Sequence, residues 1–428
     1  MISFQRIISF KTVLLMSVAL VAHASSSEPA AAVRASLPDQ KLDALVAEAI
    51  ARAPEMVSAR SSFEAAQFRI TPSETLPDPF VSASYQNDGR SLSLGDREGS
   101  FIGIMASQTF PWPGKLGLAG DMARSEAEEI ESQLVGRSAL SIEARVRNAW
   151  YDLVLARAID RILDDRFVAA GQIEASVRER YAVGLAVQQD VLRAQIELAR
   201  LEEQRIAQSA TIVSRIAELN RLVSAPQDRA VETAAALPED TAVAPLQELL
   251  SAAAARSPEL AASGHAIETG RLRVDLAKKD FLPDLVVSAG SMDRGSFEMG
   301  PMWQVGIGVT LPLWIERRQQ NRLGEAQAIV IGRTADRDAL ARELELRTRE
   351  RAAQLDASLR IAALYRDTIL PLDEVSLESA LASYQAGRVP FITVLDALNT
   401  LYSDRAIYAG RLTESAKWRV AIDEASLQ

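Results

Sequence analysis

Two short stretches of the chain, Tyr181-Ala182-Val183-Gly184-Leu185 and Tyr384-Gln385-Ala386-Gly387-Arg388, share a Tyr-x-x-Gly pattern at a spacing of 203 residues. Each is followed by a second match, in which Asp190-Val191-Leu192 corresponds to Thr393-Val394-Leu395. Three further matches occur in the same order at nearly constant spacing. A single match could arise by chance, but the ordered set predicts two copies of a unit of about 200 residues.

The three further matches contain proline at positions where helices and strands are expected to end. They pair Ala51-Arg52-Ala53-Pro54-Glu55-Met56 with Ala255-Arg256-Ser257-Pro258-Glu259-Leu260, Leu76-Pro77-Asp78 with Leu282-Pro283-Asp284, and Thr109-Phe110-Pro111 with Thr310-Leu311-Pro312. Because proline interrupts helices, we expect each Leu-Pro-Asp to end a helical stretch. Those stretches run from about Gln40 to Ile70 and from Leu246 to Phe281.

Each helical stretch is followed by two segments with the composition of strands. These are Phe80 to Tyr85, Phe101 to Phe110, Leu285 to Ala289 and Met302 to Leu313. Alternation is clearest near Ile307, where Val and Leu share its face and only small residues such as Gly306 and Gly308 occupy the other. Segments of about ten residues with one apolar face are typical of transmembrane strands, although a hairpin in a soluble domain gives the same pattern.

Very long helices are predicted after each pair of strands. No proline occurs between Pro113 and Pro226, and heptad spacing of apolar residues recurs there. Gly184 divides this region into helices from about Lys115 to Val183 and from Val187 to Val223. The second copy repeats the pattern from Glu316 to Tyr384, with an interruption expected at Pro371, and from Ile392 to Ser426. Helices of this length favour a coiled coil or the wall of a tube over a compact enzyme domain.

The N-terminus has the features of a secretory signal peptide. Arg6 and Lys11 precede a short apolar run, and Ala22-His23-Ala24 supplies a cleavage signal. We therefore expect cleavage after residue 24 and export from the cytoplasm. No later stretch has 18 or more apolar residues, so no transmembrane helix is predicted. The predicted organisation is a signal peptide (1–24), a first repeat (25–225), a connector (226–245) and a second repeat (246–428).

Composition excludes several classes of function. The chain of 428 residues has no cysteine, which excludes thiol catalysis, zinc–thiolate sites, iron–sulfur clusters and disulfides. Its net charge of −10 has the wrong sign for a nucleic-acid partner. His265 is the only histidine after the signal peptide, and neither a catalytic group nor a nucleotide-binding motif accompanies it. We expect no catalytic residues, no cofactor and no metal site.

The repeated unit, Leu76-Pro77-Asp78-Pro79 and the two Tyr-x-x-Gly turns resemble the TolC family of outer-membrane efflux proteins. The segment Gln108-Thr109-Phe110-Pro111-Trp112-Pro113-Gly114-Lys115 further resembles the family's heavy-metal branch, the outer-membrane partners of cobalt–zinc–cadmium and copper–silver exporters. This resemblance implies a mainly α fold with a small β part. Long antiparallel helical hairpins would form a periplasmic tunnel, and four transmembrane strands per protomer would contribute to a 12-stranded trimeric barrel.

The resemblance also implies partners and a location. The partners would be two further copies in a homotrimer, a periplasmic adaptor (membrane fusion) protein, an inner-membrane pump of the RND type and outer-membrane lipid. The chain would lie in the outer membrane with a large periplasmic extension. Many members carry a lipidated cysteine after the signal peptide; this chain has none, so no acyl anchor is expected.

Six residues near the two turns are the candidate site. The family motif places periplasmic entrance carboxylates at Asp190 and Asp396, although a second acid of the motif is replaced by Thr393. Both aspartates could instead be solvated charges, or acids in the N-terminal turn of a helix that complement its dipole. The predicted adaptor-docking turns are Gly184, Leu185, Gly387 and Arg388, where the glycines could simply permit a tight turn.

The resemblance thus implies a passive efflux conduit that exports heavy-metal cations. The alternative is a soluble periplasmic coiled-coil adaptor or structural protein. That alternative explains the helices and the signal peptide, but it leaves the duplicated strand pairs and the Leu-Pro-Asp motifs without a role.

Overall fold

The structure, a computed structural model, describes residues 40–90, 99–233, 237–239, 242–294 and 300–425. The predicted signal peptide and part of the predicted connector lie outside these ranges. The helices are α1 (Gln40–Arg52), α2 (Pro54–Gln67), α3 (Ile70–Glu74), α4 (Lys115–Ile130), α5 (Arg137–Ala182), α6 (Gln188–Leu222), α7 (Leu246–Arg256), α8 (Pro258–Lys279), α9 (Gln320–Leu364), α10 (Leu370–Gln385) and α11 (Phe391–Glu424). The strands are β1 (Phe80–Gln86), β2 (Phe101–Phe110), β3 (Asp284–Asp293) and β4 (Met302–Thr310).

The helical stretch at the start of each predicted repeat is divided into two helices by its proline. Ala53 and Ser257 are extended, with ψ of 127° and 115°, and Pro54 and Pro258 begin α2 and α8. The residue before a proline is driven out of the helical region, whereas proline fits the first turn of a new helix. The repeated Arg-x-Pro-Glu motif is therefore a helix–helix junction.

The four strands form one antiparallel sheet in the order β1-β2-β3-β4. The central pair joins the two halves of the chain, with Ala106 opposite Ala289. Strands β1 and β4 are its edges, and within the described residues each pairs on one side only. Strand β3 is longer than predicted and β4 ends earlier, at Thr310.

The long helices agree closely with the sequence prediction, except at Pro371. Helix α5 has 46 residues and α9 has 45, which corresponds to about 70 Å each. Pro371 does not break the helical path, because a π-helical turn, Tyr365–Ile369, connects α9 to α10 and Pro371 lies in the first turn of α10. A proline has no N–H to donate, and the first turn of a helix leaves that donor unused anyway. Two further π-helical turns, Glu131–Gly136 and Ile315–Gln319, precede α5 and α9.

Two large apolar clusters hold the helices together. The first surrounds Trp150 and Leu153 of α5 and includes Leu219 of α6 and Leu412 of α11. The second lies nearer the ends of the hairpins and surrounds Phe391 and Leu398 of α11. Helices α5, α6 and α11 contribute to both clusters. None of the helices in the described ranges has the length and apolar character needed to cross a bilayer.

Candidate functional site

The two Tyr-x-x-Gly motifs form matching turns at the ends of the long helical hairpins. Gly184 and Gly387 have φ of +78° and +71°. The N–H of Gly184 donates to the Tyr181 carbonyl at 3.0 Å, and the N–H of Leu185 donates to the Arg180 carbonyl at 2.8 Å. In the second turn, the N–H of Gly387 donates to the Tyr384 carbonyl and the N–H of the next residue donates to the Ser383 carbonyl, both at 2.9 Å. This pair of hydrogen bonds defines a Schellman motif, which favours glycine at its left-handed position.

A cluster of three side chains connects the two turns. The Tyr384 hydroxyl donates to Oδ2 of Asp190 at 3.5 Å. The Arg180 guanidinium lies 5.2 Å from the centre of the Tyr384 ring, and its Nη1 donates to the Gln385 carbonyl at 2.9 Å. Helices α5 and α6 of one hairpin are thereby bound to α10 of the other.

Tyr384 is buried, at 8% exposure, and packs on Phe391 with ring centroids 5.4 Å apart. Burial, followed by the negative charge of Asp190, raises the pKa of Tyr384 above its ordinary value. The tyrosine is therefore neutral at physiological pH and available to donate its hydroxyl proton.

The structure places the six predicted residues together at the hairpin ends but in unequal environments. Asp190 lies in the first turn of α6, is half-buried and accepts from Tyr384. Asp396 lies one turn further along its own helix and is exposed. Leu185 and Arg388 are exposed at the turns themselves. The position of Asp190 in the first turn of α6 agrees with an acid that complements the helix dipole, and its contact with Tyr384 adds a second partner.

A buried polar network lies further from the turns. Arg166 Nη2 of α5 contacts Glu197 Oε1 of α6 at 2.5 Å and donates to Asn399 Oδ1 of α11 at 2.6 Å. The charged side chains are only 15% and 10% exposed. A buried charge pair of this kind requires exact alignment of its helices. The network therefore fixes the relative positions of α5, α6 and α11.

Two carboxyl groups face each other between α10 and α11. Burial, a hydrogen bond with the Asp404 carboxyl and the charge of that group raise the pKa of Asp373 above its ordinary value. Oδ2 of Asp373 is buried without a hydrogen-bond partner. Like charges at close range disfavour ionisation, so this position is unfavourable for Asp373 when both groups are charged.

The sheet has two chemically different faces. Its register places apolar residues on one face, most of them exposed: Val81, Tyr85, Ile102, Ile104, Leu285, Val287, Trp303, Val305, Ile307 and Val309. The other face carries mainly small and polar residues, including Ser82, Ser84, Gly103, Ser107, Ser288, Gly290, Gln304, Gly306 and Gly308. A sheet with one extended apolar face exposed needs a covering surface, because large apolar patches are rare on soluble monomers.

In the part of the chain that the structure describes, no three His, Asp or Glu side chains are grouped so that they could hold a metal ion. His265 contacts one carboxylate, that of Glu128, at 3.1 Å.

The sequence interpretation missed two contacts, those of Tyr384 with Asp190 and of Arg166 with Glu197. The repeated tyrosine offered a signal for the first contact, because in both turns a tyrosine stands three residues before the glycine. Arg166, Glu197 and Asn399 had no such signal, since each is one polar residue among many on a long helix.

Comparisons with known proteins agree with this architecture. Residues 249–425 match the model of the family described as Outer membrane efflux protein. The chain is 26% identical over 288 residues to the Cobalt-zinc-cadmium resistance protein CzcC of Cupriavidus metallidurans. That alignment covers 66% of this chain and 66% of the relative, just under two thirds of its length.

Solved structures show the same fold over nearly the whole chain. The outer membrane protein VceC of Vibrio cholerae superposes with a TM-score of 0.73 at 20% identity, covering 90% of this chain and 96% of VceC. CusC, whose structures concern transmembrane channel formation, gives a TM-score of 0.75 at 16% identity and covers 93% and 95%. Residues 249–425 thus match the outer membrane efflux protein family, the chain is similar in sequence to a cobalt-zinc-cadmium resistance protein, and nearly its whole length has the fold of the solved outer membrane proteins VceC and CusC.

Proposed function

We propose that three copies of this chain form the outer-membrane channel of a tripartite efflux system, a passive conduit that carries heavy-metal cations from the periplasm or the pump to the exterior. The observation that carries this proposal is the four-stranded sheet with one apolar face and two open edges. The long helical hairpins extend from that sheet and form the wall of a periplasmic tunnel.

The sheet supports assembly because it is incomplete in a single chain. Among the described residues, strands β1 and β4 each pair on one side only and so present unpaired backbone groups at the two edges. Lipid offers no hydrogen bonds to satisfy such groups. Four strands are too few to close, since the smallest membrane barrels have about eight. Three copies supply twelve strands, and each β4 then pairs with β1 of the next copy. The apolar face around Ile307 turns toward lipid, and the face with Gly306 and Gly308 turns toward the lumen.

The helical part of the chain also has exposed apolar side chains that a neighbouring copy could cover. Phe68, the residue after α2, and Ile331 of α9 are 73% and 71% exposed. Both are large apolar side chains at the open surface of the helical part of the chain. Contact between such surfaces on successive protomers removes them from water, at about 25 cal/mol for each Å² of apolar surface buried.

The turns at Gly184, Leu185, Gly387 and Arg388 are the proposed docking site for a periplasmic adaptor, which connects the tunnel to an inner-membrane RND pump. Leu185 presents an apolar side chain and Arg388 a charged one, both exposed at the hairpin ends. The Schellman geometry holds both in fixed positions.

The proposed cargo rests on two points. The relative CzcC is a cobalt-zinc-cadmium resistance protein. The acidic net charge of the chain, and the carboxylates of Asp190 and Asp396 near the proposed entrance, favour cations over anions in a narrow passage. The cation passes through as substrate, and no resident metal site is needed.

Fractionation and sizing test the assembly. The channel should be found in the outer-membrane fraction, require detergent for release and have the mass of three chains. The alternative, a soluble periplasmic coiled-coil adaptor or structural protein, predicts release by osmotic shock without detergent and no such trimer.

Growth of a deletion strain tests the cargo. The strain should become sensitive to cobalt, zinc or cadmium and accumulate that metal, and a plasmid copy should restore tolerance. Nickel, copper and a set of organic toxicants serve as comparison. Sensitivity limited to organic compounds would contradict a metal cargo and leave the channel itself in place.

A pair of glycine variants tests docking. A Cβ at Gly387 or at Gly410 meets no atom within 4 Å, but only Gly387 has positive φ. Gly387→Val should impair export while the trimer still forms, because it distorts the turn, whereas Gly410→Val should retain export. Equal export by both variants would contradict docking at this turn.

A further inference from the structure

At the centre of the protomer, the chain passes from β2 into α4 and from α8 into β3. A buried lysine forms an ion pair between these two transitions. Lys115, the first residue of α4, lies just after β2, and Asp284 begins β3. Lys115 Nζ is 2.9 Å from Asp284 Oδ1 and 3.5 Å from Asp280 Oδ1. The same Asp284 oxygen accepts the backbone N–H of Trp112 at 2.8 Å.

This contact is well shielded from water, since the Lys115 side chain is only 12% exposed. Nearby carboxylates offset the cost of burying a lysine ammonium to this extent. The contact therefore fixes the transition from β2 to α4 against the transition from α8 to β3. It lies where the first predicted repeat meets the second.

The chain has two other transitions between sheet and helix, and both lie at the open edges. Asp78 precedes β1 and occupies the same position in Leu76-Pro77-Asp78 that Asp284 occupies in Leu282-Pro283-Asp284. At the other edge, Arg317 and Arg318 follow β4 in the π-helical turn that leads into α9. One edge transition thus carries an acid, and the other carries two bases beside one acid, Glu316, for a net positive charge.

The side chains of Asp78 and of the two arginines are exposed. Within the described ranges, neither Asp78 nor Arg317 nor Arg318 forms an ion pair. The equivalent acid at the centre of the protomer, by contrast, has a basic partner from the neighbouring transition.

Apolar residues beside these transitions show the same difference between centre and edge. Trp112, next to the central contact, is 37% exposed, whereas Trp314, before the two arginines, is 67% exposed. Phe110 at the end of β2 is 37% exposed, and Leu311 at the end of β4 is 60% exposed. The transition after β4 therefore lacks the cover that the transition after β2 receives from β3 and α8.

We propose that Asp78 of one protomer forms an ion pair with Arg317 or Arg318 of the next protomer. This ion pair between chains would be the counterpart of the Lys115–Asp284 ion pair within a chain. The occupant of this surface is a second copy of the chain. The proposal rests on the trimer proposed above, in which β4 of one copy pairs with β1 of the next. That pairing brings the acidic transition of one protomer beside the basic transition of its neighbour.

The absence of cysteine from the chain permits a clean cross-linking experiment. The double variants Asp78→Cys with Arg317→Cys and Asp78→Cys with Arg318→Cys are treated with a short bismaleimide in detergent and then denatured. At least one should give covalent dimers and trimers. A matched control, Asp78→Cys with Arg349→Cys, uses an exposed arginine far along α9 and should give at least tenfold less product. Lys115→Cys with Asp284→Cys should cross-link within one chain and leave its mass that of a monomer.

Charge reversal provides a second measurement. Asp78→Arg should reduce the yield of trimer relative to the unchanged chain, because it places like charges between protomers. Combining Asp78→Arg with Arg317→Asp and Arg318→Asp should restore it. Trimers that form normally but give no cross-link for either pair would overturn this inference and leave the proposed channel intact. Absence of any trimer in the unchanged chain would overturn both.

Discussion

The Tyr384 hydroxyl donates to Asp190 across two separate helical hairpins, 3.5 Å from Oδ2. The contact joins α10 to α6 at the end of the molecule where both hairpins turn. Because Tyr384 also supports the Arg180 guanidinium on its ring face, it contacts both of the other side chains in this cluster. In the proposed channel, separating the hairpins at this end would first require breaking that cluster.

Replacement of Tyr384 by Phe should therefore favour separation of the hairpin ends. A hydrogen bond typically contributes about 0.5–1.5 kcal/mol net, so the open fraction should rise by up to about tenfold. The measurement is single-channel conductance in planar bilayers, where longer or more frequent open events are expected. Tyr181→Phe is the matched control, because that tyrosine occupies the same position in the first turn and is exposed. Unchanged conductance for Tyr384→Phe would show that the contact does not limit opening.

Asp373 should make the stability of the protein fall as pH rises. Its folded-state pKa is raised by burial and by Asp404, so the folded state retains a proton that the unfolded state has already lost. Stability is then greatest below the ordinary pKa of aspartate and decreases as pH rises through the higher folded-state pKa. Asp373→Asn should raise the melting temperature at pH 7 and have little effect at pH 3.

The neighbouring residue Glu374 offers the control for this pH experiment. It is exposed and pairs with Arg405 at 2.8 Å, so Glu374→Gln should not stabilise the protein at pH 7. If Asp373→Asn lowers the melting temperature at neutral pH, the carboxyl groups of Asp373 and Asp404 do not repel each other enough to destabilise the folded state, and the interpretation of this pair is wrong.

Glu197 should be among the most sensitive charged positions in the helices. Its removal leaves the Arg166 guanidinium in an apolar cluster with Asn399 as its remaining polar partner. Loss of one member of a buried ion pair typically costs about 3–5 kcal/mol, and urea unfolding of Glu197→Ala in detergent should show a loss of this size. Glu343→Ala, which removes an exposed partner of Arg347, should cost less than about 1 kcal/mol. Equal losses for the two variants would contradict the importance of burial.

The sequence predicted the elements well where its signals were local. Glycine at the two turns and proline at the Leu-Pro-Asp motifs act on their own backbone, and the positions of both hairpins followed from them. The sequence did not distinguish a break between two helices, as at Pro54 and Pro258, from an interruption through which the helical path continues, as at Pro371. The two outcomes differ in whether a π-helical turn precedes the proline, as Tyr365–Ile369 precedes Pro371. No short sequence pattern predicts such a turn.

Contacts between distant elements could not be derived in the same way. Asp190 and Asp396 occupy similar places in the sequence pattern, yet only Asp190 is half-buried and bonded to another hairpin. The approach of the Tyr384 side chain of α10 to α6 decides this, and the spacing of residues along one helix carries no information about it.

The apolar face of the sheet should tolerate no charge at its centre. Ile307 is 75% exposed on that face, and in the proposed channel it contacts lipid. An arginine at mid-membrane costs about 2–4 kcal/mol, so Ile307→Arg should lower the amount of trimer in the outer membrane. Gln304→Arg lies on the opposite face and should assemble normally, with quantitative immunoblotting of membrane fractions as the measurement. The reverse result would show that the two faces have been assigned the wrong way round.

Asp396 and Asp190 should have separable effects on conduction. Asp396 is exposed and forms no ion pair within the described residues, so Asp396→Asn removes negative charge without breaking a contact. We expect a lower preference for cations over anions and weaker block by divalent cations, with the open fraction unchanged. Asp190→Asn should produce the same change in selectivity and also raise the open fraction, because the Tyr384 hydroxyl then loses its charged acceptor. Selectivity is measured from reversal potentials in salt gradients across planar bilayers, with trimer abundance measured in parallel. If both Asn variants retain the selectivity and the divalent block of the unchanged channel, these aspartates do not line the conduction path.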